Sequence, residues 1–334
     1  MKICILGGTG FVGSRLAARL CEQGHQVWIP TRRLMRHREL SVLPTVQLIE
    51  GDVHNPAFLA RLFAGDAPGS AMAAGGRAPG AAMDAVINLV GILNEKGHSG
   101  RGFAHAHADL PAKVVEACRK AGVKRLLHMS ALNAALSAPS HYLRTKAMGE
   151  DAAHRAHGPE LAVTSFRPSV IFGPGDSFTN RFAQLLRLSP FVFPLACPNA
   201  RFQPVYIEDV VQAFIAALEN HKTFGQRYDL CGPKAYTFKE IVEYLARLLG
   251  RRTRIVGLND TLSYLQAVAM EFVPGKPFSL DNYRSLKLDS VCPKGFPEVF
   301  GLTPASLEQI VPGYLGRDND QARYAALRGL AGRR

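Results

Sequence analysis

The sequence has one tryptophan, six cysteines and no apolar run close to the roughly 20 residues that a membrane span needs. Its cysteines are Cys4, Cys21, Cys118, Cys197, Cys231 and Cys292. None lies two to four residues from another, which leaves out a zinc knuckle or a CxxC redox motif, and no metal site is expected. Cys4 and Cys118 sit in apolar surroundings and read as small hydrophobes. Carboxylates are scarce: Lys and Arg number 40 against 27 Asp and Glu, a formal charge of +13. No charged segment leads into an apolar one at the start, where Met1–Leu6 reads straight into a strand, so no signal peptide is expected. Basic and aromatic residues do not interleave as in nucleic-acid binders, so no nucleic acid is expected as a partner. With 47% apolar and 20% charged residues the chain reads as a soluble, cytoplasmic α/β protein. Its basic surplus favours anionic partners, phosphate-bearing ligands or acidic lipid.

Strand and helix patterns alternate from the first residues. Lys2–Leu6, Gln26–Pro30, Val46–Glu50, Asp84–Val90 and Lys124–Met129 are short apolar runs, and Phe11–Gln23 and Leu110–Ala121 between them have helical periodicity. Continuous apolar strands separated by helices predict a doubly wound parallel sheet covered on both faces. The stretch 65–83, rich in Ala, Gly and Pro, reads as an inserted surface loop. Beyond about residue 233 the alternation weakens, and Phe238–Leu249 and Thr261–Phe272 are expected to be helices of a smaller lobe. The expected organisation is a Rossmann domain over 1–174 and 202–232, a smaller, mostly helical C-terminal substrate lobe over 175–201 and 233–316, and a basic tail over 317–334.

The first turn reads Gly7-Gly8-Thr9-Gly10-Phe11-Val12-Gly13. A strand-to-helix turn of this composition suits a diphosphate. It allows positive φ, brings the backbone close to the anion, and aims helix-start amides at it. Where a dinucleotide fold that binds a ribose 2′-hydroxyl carries an acidic residue, at the end of the second strand, this chain has Arg32 and Arg33. Guanidinium groups suit a 2′-phosphate, so NADP(H) is expected in preference to NAD(H). Asp52 and Val53, just past the third strand, are placed to meet the adenine edge.

A second constellation follows. Ser130 ends the strand pattern of Lys124–Met129, and Tyr142 and Lys146 share one face of the helix that comes after. An ammonium beside a phenol is expected to lower the phenol pKa, making Tyr142 a proton donor or acceptor for a carbonyl or alcohol while a nicotinamide moves hydride. Ser130 is then a hydrogen-bond donor to the same oxygen.

Together GGTGFVG, Ser130 and YLRTK resemble the extended and atypical short-chain dehydrogenase/reductase superfamily. HMSALNA (128–134), YLRTKAMGE (142–150), FRPSVIFGPGDSFTNRFA (166–183), RFQPVYIEDV (201–210), FVPGKPFSLDN (272–282) and LTPASLEQIVPGYL (302–315) are similar to one subgroup. That subgroup holds the nucleotide-binding accessory subunit of mitochondrial respiratory complex I, its bacterial relatives, and proteins linked to coenzyme Q synthesis. The resemblance implies that Pro168, Ser169 and Val170 border the nicotinamide and that the Asn88-Leu89-Val90-Gly91 turn supports the cofactor. It also places His107 where many extended members carry an Asn that holds a water beside the catalytic Lys. Here His107 reads as a helix-surface residue.

The apolar, Pro-punctuated stretches Leu185–Pro198 and Val268–Pro277 are expected to form a rim suited to a hydrophobic ligand, while Arg181, Arg187 and Arg201 suit a diphosphate. The leading expectation is an NADP(H)-dependent reductase-like protein acting on a hydrophobic carbonyl, alcohol or quinone-related compound. A non-catalytic nucleotide-binding scaffold of a respiratory or quinone-forming complex, and a nucleotide-sugar epimerase or dehydratase, are the alternatives. The tail arginines imply peripheral contact with an acidic membrane at its inner face.

Overall fold

The computed structural model describes residues 1–66, 81–95, 97–189, 191–273, 276 and 278–316. Most of the expected insertion and the whole basic tail therefore lie outside the described residues. Seven strands form the main sheet: β1 (Lys2–Leu6), β2 (Gln26–Thr31), β3 (Val46–Glu50), β4 (Ala85–Asn88), β5 (Arg125–Met129), β6 (Ala162–Pro168) and β7 (Arg227–Leu230). Their order is β7-β6-β5-β4-β1-β2-β3, and the pairings from β3 through β6 are all parallel. β1, β4 and β5 are buried along their whole length, which is why their hydrophobic residues follow one another without alternation. The sequence order reverses direction at β1 and β4. At such a switch point the strand ends leave a crevice, and ligands bind there.

Helices cover the sheet. α1 (Phe11–Glu22) buries Leu16, Ala17 and Leu20, and α2 (Pro56–Phe63) is started by Asn55, whose side chain accepts from the amides of Ala57 and Phe58. α3 starts as Arg101–Ala104, passes through a π-turn at His105–Asp109 and continues as Leu110–Ala121, ending on Gly122 with φ +70°. α4 (His141–Arg155) is capped by Ser140. One core joins α2, α3 and α4 to the sheet, with Cys4, Leu6, Trp28, Leu59, Phe63, Val86, Val114, Cys118, Leu126, Ala153 and Val163 among its buried members.

The described residues divide into two compact units: those within 1–168, 210–229 and 297–301 in the first, and those within 169–209, 230–296 and 302–316 in the second. The second has its own aromatic core, in which Phe202 and Phe238 are buried and Phe178 and Phe182 pack against them. Its helices include Thr179–Leu188, Phe238–Leu248, started by a Thr237/Glu240 capping box, and Asp260–Met270. Three two-stranded ribbons accompany them, more strand than the sequence pattern suggests. A disulfide joins Cys231 to Cys292 within this unit, a pairing that cysteine spacing does not reveal.

Candidate cofactor and proton-transfer site

The glycine turn is shaped by contacts that exclude side chains. Gly7 has φ +79°, and a Cβ on it would stand 3.1 Å from the Leu89 and Val90 backbone. A Cβ on Gly13 would lie 2.3 Å from the Gly7 carbonyl oxygen, so α1 starts pressed against the turn. Gly8 donates to the Ile5 carbonyl and Gly10 to that of Gly7. Gly10 caps α1 without a side-chain acceptor, and the first turn of the helix carries no carboxylate. The amides of Phe11 and Val12, in the first turn of the helix, thus have no intrahelical carbonyl to donate to, a donor set that fits a diphosphate.

The neighbouring turns complete the rim. Leu89 donates to the Leu6 carbonyl, which ties the β4 exit to the β1 exit. Asn88 is 1% exposed. Its Oδ1 accepts from the Val90 amide at 3.2 Å and its Nδ2 donates to Nδ1 of buried His128 at 3.3 Å, so the amide side chain holds the 88–91 turn in place. Arg32 and Arg33 are exposed directly after β2, and the Arg33 amide donates to Oγ1 of Thr31. Gly51 donates to the Thr31 carbonyl, which brings the β2 and β3 exits together. Asp52 accepts from the His54 amide through Oδ1, and Val53 packs on the core. Pro168 closes β6 and its carbonyl accepts from Leu132. Val170 falls in the second unit, where it packs on that unit's core and accepts from Val205.

Lys146 is buried, and its Nζ donates to the Met129 carbonyl at the end of β5, 3.1 Å away. Burial lowers its pKa to about 8, against the pull of the Glu150 carboxylate. A Cβ on Gly91 would stand 3.2 Å from this Nζ and 3.5 Å from Nε2 of His107. The cofactor-side turn, the lysine and the histidine are therefore one cluster. Tyr142, one turn before Lys146, packs on Ala131, Ala138 and Leu143, and its ring meets Phe103 and His107 edge-on at 6.0 and 5.4 Å.

Two expectations change here. Tyr142 does not have a lowered pKa: loss of hydration pushes the phenol up to about 12. His107 is not on a helix surface: it is 1% exposed, turned inward by the π-turn. Its Nε2 accepts from the Ile92 amide at 3.0 Å, so Nδ1 carries the hydrogen and meets Thr145 Oγ1 at 3.2 Å. Burial first, then Lys146 and His128, hold its pKa down to about 2, and the ring is neutral. Ser130 directly follows β5. Its hydroxyl donates to Oε2 of buried Glu150, which also receives Arg167 at 2.9 Å. Ala131, next in sequence, is the residue against Tyr142.

The β1–α1 turn, the sheet order and the Tyr142–Lys146 helix agree with a family model. Residues 3–231 match the NAD dependent epimerase/dehydratase family. The chain belongs to this family. It is 29% identical over 294 residues to the mitochondrial NADH dehydrogenase (ubiquinone) 1 alpha subcomplex subunit 9 of Arabidopsis thaliana, covering 86% of this chain and 68% of that protein. It is also 29% identical over 261 residues to a ceramide reductase of Caulobacter vibrioides, covering 77% of this chain and 74% of that one. Among solved structures, a dTDP-glucose 4,6-dehydratase double mutant from Streptomyces venezuelae, with NAD bound, superposes with a TM-score of 0.71. It shares 18% identity over 99% of this chain and 98% of its own, a likeness of fold. The glycine turn, the start of α1 and the Asn88–Gly91 turn all fall within the stretch that the family model matches.

Proposed function

We propose that this protein is an NADP(H)-dependent reductase-like member of its family, acting on a hydrophobic carbonyl or alcohol, including quinone-related compounds. The observation that carries this reading is the cluster of Lys146 Nζ, His107 Nε2 and the Gly91 backbone, one helical turn from Tyr142. The bound dinucleotide supplies the hydride. Gly7–Gly13 hold its diphosphate, Arg32 and Arg33 take a 2′-phosphate, Asp52 and Val53 border the adenine, and Asn88–Gly91 with Pro168 line the remaining path. Tyr142 holds the proton exchanged with the substrate oxygen, and Lys146, anchored on Met129, stands one helical turn away with its Nζ near the Gly91 turn. Ser130 acts through Glu150 as a positioning residue. The hydrophobic substrate class is supported by the relative named for ceramide reduction and by the apolar stretches beyond residue 185.

A second reading, a nucleotide-binding scaffold of a respiratory assembly, draws support from the raised Tyr142 pKa, from Ser130 being committed to Glu150, and from the similarity to a NADH dehydrogenase subunit. Single-turnover hydride transfer from NADPH to long-chain carbonyls and quinones separates the two. The reductase reading expects transfer that Tyr142→Phe slows by about 10²-fold or more at unchanged NADPH affinity. NADPH binding without transfer to any acceptor selects the scaffold.

A further inference from the structure

The second unit carries a surface whose chemistry is unrelated to nucleotide binding. Strands Val192–Leu195 and Arg254–Gly257 pair in parallel with Val192 opposite Arg254 and Pro194 opposite Val256. Leu195 and Ile255 point into the unit's core, so the other face is the outer one. A strand face turned to water ordinarily carries polar residues. Here Val192, Pro194 and Val256 are exposed, with Arg254 the one charged residue among them. Phe191, at the start of the ribbon, is 82% exposed, and its carbonyl accepts from the Arg254 amide at 2.8 Å. The adjoining end of helix Thr179–Leu188 leaves Leu188 79% exposed.

Charge around this face is mostly positive. Residues 181–195 and 244–259 contain Arg181, Arg187, Arg247, Arg251, Arg252 and Arg254 and no Asp or Glu. Arg247, Arg251, Arg252 and Arg254 line an open cleft on the ribbon's flank, whose one carboxylate, Glu243, is paired with Lys239. Among the described residues Arg187, Arg251, Arg252 and Arg254 have no ion-pair partner.

We infer that this ribbon and its arginine cleft form a docking surface for an anionic phospholipid bilayer. The guanidinium groups meet headgroup phosphates while Phe191, Val192, Leu188 and Val256 enter the boundary with the acyl chains. An acidic protein would answer the arginines alone. A phospholipid interface offers phosphate and hydrocarbon within one thin layer, which matches arginines interleaved with exposed apolar side chains. The attraction does not depend on the dinucleotide.

Co-sedimentation of the full chain, without nucleotide, with phosphatidylcholine vesicles that contain or lack phosphatidylglycerol tests this. Binding is expected to the anionic vesicles and to weaken with added salt. The double substitution Arg251→Glu with Arg252→Glu is expected to weaken it by about thirtyfold or more. Phe191→Glu is expected to remove the part that persists in high salt. Unchanged thermal melting and NADPH affinity in these exposed-site variants keep folding and the proposed reductase function separate from the result. Equal binding to both vesicle types, no binding, or binding that both variants leave intact overturns the inference. So does a protein dimer that Phe191→Glu dissolves while vesicles are not bound.

Discussion

Tyr142, His107, Thr145 and Lys146 are ordered by short contacts in which each side chain leaves its neighbour few alternatives. Thr145 donates to the His141 or Tyr142 carbonyl and meets the His107 ring, so it locks the imidazole that accepts from Ile92. Lys146 lies a residue further on, and Glu150 one turn beyond takes Ser130 and Arg167. Ser130→Ala is therefore expected to cost about 1 kcal/mol of stability, the usual worth of one buried hydrogen bond, while leaving NADPH affinity unchanged. Urea unfolding with NADPH titration checks this. A loss of hydride transfer beyond tenfold at intact stability would instead return Ser130 to the substrate. At the β2 exit, replacing Arg32 and Arg33 together by Ala is expected to weaken NADPH by about tenfold to a hundredfold and to leave NADH nearly unchanged. Parallel fluorescence titrations decide it, and equal losses for both nucleotides would refute the 2′-phosphate assignment. Tyr142 and Lys146 were legible from their helical spacing. The inward turn of His107 was not, because a π-turn shifts side-chain direction by an amount that a period of 3.6 residues does not encode.

At the scale of the element, the crossing of α3 and α4 sets the site. A Cβ on Gly149 would lie 1.9 Å from the His107 carbonyl oxygen and 2.9 Å from Pro111 Cγ, so the helices touch backbone to backbone there. Gly149→Ala must push them apart. A loss of about 1–3 kcal/mol is expected, together with weaker hydride transfer as Lys146 and His107 shift. A melting curve within error of wild type would show that the crossing yields at no cost. In the second unit, the Cys231–Cys292 bridge closes a separation of 61 residues. Chain-entropy reasoning assigns such a loop about 4 kcal/mol. Reduction is expected to destabilise the protein by up to that amount, read from urea unfolding with and without dithiothreitol. The glycine turn was legible because its composition answers a local steric demand. The ribbon of Val192–Leu195 with Arg254–Gly257 was not, since its partners are far apart in sequence and neither strand alternates cleanly.

For the whole molecule, buried neutral histidines tie stability to pH. His107 is held down to about 2 and His128 to about 3, each mainly by burial, against about 6.5 when unfolded. Between those limits the unfolded chain binds both protons and the native one neither, so stability rises with pH across the window and is lost as pH falls below about 6.5. Near pH 5 the two residues together contribute a slope of about 3 kcal/mol per pH unit. Urea unfolding at neutral pH and near pH 5 measures it, and a slope under one proton would mean that one ring is already charged in the folded state. No helix among the described residues is long and apolar enough to cross a membrane.

By itself the sequence determined the strand and helix succession, the doubly wound class and the glycine turn after β1. Each of these follows from local conformational preference and from periodic burial. The tertiary structure decided which groups face one another: His107 against Gly91, Ser130 against Glu150 and Ala131 against Tyr142. Such pairings depend on how closely two helices and a strand end approach, and a shift of an ångström or one π-turn exchanges one partner for another without altering any local pattern.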